Sequence, residues 1–372
     1  MCVRRKGARS VSTRVSLAIL ILAALLALTA CFGIGGGSQT AYVTTPLNSG
    51  VSVFTISNNT GKFTQLLGSP YPTGISPTEI ILHPSRKFAY IANGGEADLS
   101  RFTISSSGAL TEVMPRTPTG NNPAALVIDP AGGFLFVANS GSNTVTAYSI
   151  GSSDGALTPV AGAAAQTGFA PIKLAISPSG KFLYVSNSVS STLSAYSVDS
   201  SGGLTAIAGQ PFAVGASPNG ITIDPSGKFL YVASLNAGNF SGFAIDSSSG
   251  ALRPMSGSPY AVVISPTVTP LSAVAMDLSG KFLYVTALNS NKIYAYTINA
   301  TTGVPSQISN SPFATGGGPA FIATDAAGQF LFVGNQSSSN VSVFRITHAN
   351  GVLTSIATAS TSSAPTSMVV VK

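Results

Sequence analysis

The chain has 372 residues, of which only 8% are charged, with a formal net charge of +7, two Cys, two His and no Trp. An average soluble domain carries about 25% charged residues, so this composition, rich in Gly, Ser and Thr, suits short strands and tight turns and speaks against a helical enzyme. The charge is also unevenly placed: Arg4, Arg5, Lys6, Arg9 and Arg14 hold five of the eighteen basic residues, and the other thirteen face eleven acidic ones. No basic patch is left for nucleic acid.

Behind that basic segment runs an apolar stretch, Val15 to Ala30, ending Leu28-Thr29-Ala30-Cys31. A basic segment, a short apolar run and small residues before a cut site describe an export signal, and the run is short for a spanning helix. The ending resembles the lipobox of bacterial lipoproteins. That resemblance implies cleavage before Cys31, lipid attachment to its thiol, and a place on the cell envelope, periplasmic or at the outer surface. An ordinary signal that happens to leave Cys at the new N-terminus is the alternative. Residues 1–30 are thus read as a lipoprotein-type signal peptide and residues 31–40, with Phe32 to Ser38 reading F-G-I-G-G-G-S, as a flexible tether. Cys2 leaves with the signal, so neither a disulfide nor a Cys-based metal site is expected in the mature chain.

The remainder, residues 41–372, is one repeat. Phe182 to Val198 (F-L-Y-V-S-N-S-V-S-S-T-L-S-A-Y-S-V) recurs at Phe134, Phe229 and Phe282, with looser copies from Phe88, Phe330 and Ala41. Each copy is two apolar runs of strand-like alternation split by Asn, Ser and Gly, the pattern of a β-hairpin. The Phe markers stand 46, 48, 47, 53 and 48 residues apart, within the range of about 40 to 50 for four-stranded propeller blades. A Pro-led apolar strand precedes each hairpin after the first, as in P-I-K-L-A-I (Pro171 to Ile176), and a Gly-led strand follows each, as in G-A-L-T-P-V (Gly155 to Val160).

Each strand type occurs seven times, the Pro-led one from Pro77 to Pro365. The chain starts on a hairpin and ends on an orphan Pro-led strand, Pro365 to Val371. The expected fold is all-β: a seven-bladed β-propeller of four-stranded antiparallel blades, closed by the C-terminal strand joining the N-terminal blade, which leaves no free edge. The P-S-G-K-F-L-Y-V signature (Pro178 to Val185, Pro225 to Val232), with T-V-T-A-Y-S-I and G-A-L-T, resembles the bacterial seven-bladed lactonase family of 6-phosphogluconolactonase-like proteins. It also resembles related surface propellers with Y-V-T-N-type repeats. The resemblance covers roughly Ala41 to Lys372 and implies a lactone hydrolase.

A residue present in most blades serves the blade, and one that breaks the pattern is free to serve a site. On that basis Asp129, Asp224, Asp277, Asp325, Asp154, Asp199 and Asp246 are turn formers, as are His83 and His348, and Lys181, Lys228 and Lys281 are solvated. Two residues after the leading Pro the inner strands carry Glu79, Ala125, Lys173, Gly220, Ser272, Phe321 and Ser367, at the expected channel mouth. Only Glu79 and Lys173 are ionisable there, and they are the candidate catalytic residues, Glu79 to activate water and Lys173 to hold a developing oxyanion. Arg116, Glu96, Asp98 and Asn219 are the candidate substrate-binding residues. Neither a metal site nor a cofactor is expected, no Ser sits in a nucleophile elbow, and the ring should act as a monomer. The expected partner is a small lactone. The alternative is a non-catalytic envelope module binding a glycan, peptide or protein at the cell surface.

Overall fold

The structure, a computed structural model, describes residues 37–262 and 269–371. The basic segment, the apolar run, Cys31 and most of the Gly-rich stretch lie outside the described residues. The strands form seven antiparallel sheets arranged as blades. Blade 2 shows the plan from axis to rim: strand a, Pro77–Leu82; strand b, Phe88–Asn93; strand c, Asp98–Ile104; strand d, Leu110–Pro118. In blades 1, 4, 5 and 6 strand d is a three-residue piece, and a separate two-residue piece pairs with the other end of strand c.

Blade 1 closes the ring as the repeat phase implies. Its strand a is the C-terminal Ser367–Val371, antiparallel to Ser38–Thr45 from Thr40↔Val371 to Thr44↔Ser367. The first strand opens at Ser38, so the last three residues of the expected tether belong to the sheet. Gln39 is buried there and donates from Nε2 to Asp325 Oδ2 of blade 7 at 2.9 Å, tying the two ends of the ring together.

The repeat motifs are contacts between blades. Strand b is buried along its whole length in blade 2 and most others, because a neighbouring sheet covers each of its faces. The Phe that opens strand b sits against the Gly of the next blade's c–d turn. That Gly has positive φ, and a Cβ on Gly250 would come 2.4 Å from Phe182 Cδ1, with equivalent clashes at Gly155, Gly202, Gly303 and Gly351. Two residues on, a Tyr hydroxyl donates to that Gly carbonyl: Tyr42 to Gly108, Tyr90 to Gly155, Tyr184 to Gly250, Tyr231 to Gly303 and Tyr284 to Gly351. Blades 3 and 7 carry Phe136 and Phe332 instead. Gly250→Ala combines a left-handed backbone, φ +73°, with overpacking of Phe182. A loss of about 2 to 4 kcal/mol is expected, read as a lower midpoint in urea.

The a–b turns bear out the reading of the Asp column. Asp224 Oδ1 accepts from the backbone N–H groups of Lys228 (2.7 Å) and Phe229 (2.6 Å), and Asp129, Asp277 and Asp325 do the same for the Phe five residues on. His83 holds the same place, its ring bonded to Ser85 Oγ and the Gly132 carbonyl. In the c–d turns the Ser201 hydroxyl, then backbone N–H groups, hold the exposed Asp199 carboxyl below its usual range; the Ser248 hydroxyl leads the same effect at Asp246. His348 is exposed in the last c–d turn.

Candidate active site

The seven a strands surround the axis, and each begins at the end where the d–a loops and b–c hairpins gather. Just inside the leading residue, pairing to strand b slips by one, as between Pro77↔Asn93 and Glu79↔Ala92. Such a bulge re-aims side chains. In blade 6 the register shows Leu271↔Ala287 and Ala273↔Thr286. Leu271 therefore holds the place taken by Pro in other blades, and Ala273 replaces Ser272 in the column expected at the mouth. Pro270, adjacent in sequence, mimics the motif one residue early.

Inside this mouth lies a cavity of about 160 Å³ lined by Glu79, Lys173, Gly220, Ala273, Phe321 and Ser367 of that column. Leu174, Ile221, Val274, Ile322 and Met368, one residue further along, add an apolar wall. Glu79 and Lys173 are 94 residues apart and meet at 3.0 Å, Nζ to Oε1. Glu79 Oε2 accepts from Leu126 N–H at 3.0 Å. Its side chain thus crosses the inner strand of blade 3, where the column holds the small Ala125. The pair is partly open, with side-chain exposure of 19% for Glu79 and 32% for Lys173, so both groups reach a solute in the cavity. Each carboxylate oxygen spends one of its two lone-pair sites on these bonds.

Opposite the pair the wall is tight. A Cβ on Gly220 would lie 2.8 Å from the backbone of Ala273, so blades 5 and 6 come too close there for any side chain. Phe321 projects from blade 7 over Gly334, where a Cβ would overlap its ring at 1.8 Å. The other blades have Ala, Ser or Thr at that place in strand b. Gly334 breaks F-L-F-V-A-N to F-L-F-V-G-N, a visible signal that something large lies across from it.

The other expected binding residues do not join the cavity. Arg116 is on strand d of blade 2, three strand spacings or about 14 Å from strand a. It is held by Glu96 at 2.7 Å and Glu112 at 2.8 Å. The hydrogen bond to Glu112 raises its pKa further and keeps it charged. Glu96 also accepts from Ile75 N–H, fixing the loop that leads into blade 2. Asp98 accepts from Asn93 Nδ2 at 2.7 Å. Asn219 donates to the Ser272 carbonyl at 2.8 Å, joining the a strands of blades 5 and 6. Thr78 to the Pro123 carbonyl, Thr366 to the Pro77 carbonyl and Ser272 to the Pro319 carbonyl are ties of the same kind. The side chains of Arg116, Glu96, Asp98 and Asn219 are thus each engaged with backbone, a neighbouring amide or a neighbouring charge. Among the described residues no three His, Cys, Asp or Glu side chains are grouped as metal ligands would be.

A closed ring of seven antiparallel blades is a seven-bladed β-propeller, and in this one the Glu79–Lys173 pair sits inside the axial mouth. The chain matches the family model described as lactonase, 7-bladed beta-propeller, over residues 35–170, 160–269 and 265–371, and it belongs to that family. Three solved structures share the fold. A periplasmic gluconolactonase of Pseudomonas aeruginosa is 18% identical with a TM-score of 0.78, covering 90% of this chain and 99% of its own. A protein of Bacteroides uniformis, provisionally assigned as a 6-phosphogluconolactonase, is 19% identical with a TM-score of 0.78 over 90% and 99% of the two chains. A Bacteroides fragilis protein with the same provisional assignment is 20% identical with a TM-score of 0.77 over 91% and 99%. No curated protein matches the chain.

Proposed function

We propose that this protein is an exported lactonase that opens an uncharged sugar lactone in the axial cavity. The observation that carries the reading is the convergence of Glu79 and Lys173, the two ionisable side chains among the described residues lining that cavity, at 3.0 Å on an otherwise uncharged wall. Glu79 uses a remaining lone pair to orient water and takes its proton as the oxygen adds to the lactone carbonyl. Lys173 Nζ–H faces the carbonyl oxygen and stabilises the oxyanion of the tetrahedral intermediate. Collapse of the intermediate breaks the ring C–O bond, and the released alkoxide takes the proton from Glu79, giving the open hydroxy acid.

The substrate's charge follows from the same pair. Glu79 and Lys173 sum to zero, and Arg116 is spent on two carboxylates on an outer strand. Among the described residues that line the cavity no cation is free to meet a phosphate, and a phosphate dianion would be desolvated beside Glu79. The periplasmic gluconolactonase neighbour supports export and the lipobox-like ending supports a lipid anchor on Cys31; a ring closed by its own C-terminal strand needs no second copy and is proposed to act as a monomer.

Proton release from a panel of sugar lactones tests the reading. Turnover above the spontaneous rate is expected for glucono-δ-lactone and much less for its 6-phosphate. A preference for the phosphate would overturn the charge argument, and absence of turnover on every lactone would overturn the activity. Labelling of the wild type, but not of Cys31→Ser, with radioactive palmitate tests the anchor.

A further inference from the structure

At the same end of the ring as the mouth, a groove of about 430 Å³ lies between blades 6 and 7. Its walls are the b–c hairpin of blade 6 (Leu288, Asn289, Asn291), the loop into blade 7 (Gly317, Gly318) and the b–c hairpin of blade 7 (Gln336, Ser337). The size is in the range of small-molecule sites, about 300 to 1,000 Å³, whereas the axial cavity is below it.

The groove departs from the repeat. The loop residue equivalent to Gly317 is Ile75, Asn121, Phe169 or Ala216 in other blades, the Ile and Phe among them more than half exposed. Gly318 has φ +66°, yet Ser76, Asn122, Ala170 and Ser217 hold the same left-handed turn with side chains. The backbone conformation therefore does not call for glycine. What the two glycines do is bare the loop and bring it against the serines of the blade 7 hairpin: a Cβ on Gly318 would meet Ser337 Oγ at 2.4 Å and one on Gly317 would meet Ser338 Oγ at 2.9 Å.

Among the described residues the lining is two Asn, one Gln, one Ser and two Gly, with Leu288 its one larger apolar side chain and no charge; the N–H and C=O groups of both glycines are already bonded to the two hairpins, so the side-chain amides and the Ser337 hydroxyl are what a ligand meets. Asn291 spends its carbonyl on Gly318 N–H at 2.9 Å, which leaves its Nδ2 available, and the amides of Asn289 and Gln336 are exposed. Amides and hydroxyls that both donate and accept match the hydroxyls of a sugar, which do the same. Neither a cation nor an anion has a partner there. Without an aromatic platform, the groove suits a sugar already tethered to something bound next to it, where linkage supplies a high effective concentration. The chain supplies the neighbour: Phe321, on the wall of the axial cavity, is three positions after Gly318, a span of at most about 10 Å.

We propose that this groove is a glycosyl subsite, and that the substrate is the lactone of an oligosaccharide aldonic acid, its lactone ring in the axial cavity and the attached uncharged sugar between blades 6 and 7. This rests on the lactonase reading above. The test compares cellobiono-δ-lactone with glucono-δ-lactone on the wild-type protein and on an Asn289→Ala, Gln336→Ala double variant, both exposed positions whose loss leaves the blades intact. The expected result is a kcat/KM at least tenfold higher for the disaccharide lactone, carried by KM, with the ratio falling toward one in the double variant. Hydrolysis of both lactones with equal kcat/KM, or a preference that the double variant keeps, overturns the subsite and leaves the lactonase reading standing. Failure to hydrolyse either lactone overturns both.

Discussion

Glu79→Gln is expected to lower kcat for hydrolysis of glucono-δ-lactone by about 10² to 10⁴-fold, the usual contribution of a positioned general base. Gln keeps the size and can still accept the Leu126 N–H bond, so the side chain stays across the inner strand of blade 3. It cannot take a proton from water. Lys173 loses its partner but remains about one-third exposed and solvated, so folding should be little affected. Lys173→Met removes the oxyanion's counter-charge and should cost about 10² to 10³-fold. Because both groups serve one transition state, the double variant should lose far less than the product of the two single losses. Steady-state kinetics with a thermal melt of each variant reads this directly. Full activity in folded Glu79→Gln protein would remove Glu79 from the chemistry.

The second large effect is on stability at high pH. Burial pushes the Tyr42 and Tyr148 hydroxyls up to about 12, and it pushes Tyr90, Tyr184, Tyr231 and Tyr284 higher still. In the unfolded chain a tyrosine ionises near 10. The folded state therefore holds the proton more tightly, and the stabilisation is complete below about pH 10 and lost as pH rises toward the folded values. Each such tyrosine contributes a slope of about 1.4 kcal/mol per pH unit in that window. Several acting together exceed a typical global stability of about 5 to 15 kcal/mol within roughly two units. We expect a cooperative loss of ellipticity between about pH 10 and 12, coincident with the rise of tyrosinate absorbance. Titration of these six buried tyrosines near pH 10 with the fold intact would contradict this. Tyr231→Phe leaves the Gly303 carbonyl without its hydroxyl donor and should cost about 1 to 3 kcal/mol at neutral pH while making the alkaline transition shallower.

The same tyrosines explain why the repeat was so legible. Phe, Tyr and Gly recur at nearly regular spacing because each blade presents a similar face to the next. A residue that serves this contact tends to reappear from blade to blade, as the Tyr does in five of the seven. Blade number, strand order and closure by the C-terminal strand all follow from counting motifs along the chain, since each strand pairs mainly with its neighbour in sequence and the orphan last strand has one vacancy to fill. The Asp turns were legible for the same reason, their carboxylates bonding backbone within five residues.

Site residues break the repeat, and periodicity says nothing of how far from the axis such a residue falls. Glu79 and Lys173 stood out because their column was empty of other charge. That they touch depends on the small Ala125 between them and on the curvature that brings alternate blades together. Arg116 and Glu96 also broke the pattern, but radial position separated them from the mouth: strand d is the rim of a blade, and there the arginine neutralises two carboxylates instead of facing a ligand. In blade 6 Pro270 places the motif one residue early, and only the pairing of Leu271 with Ala287 sets which side chain the bulge turns inward. Local sequence determined the strands and the ring, whose contacts repeat; tertiary structure alone decided which of the unrepeated residues meet, because that depends on radius, register and the volume of the side chains between them.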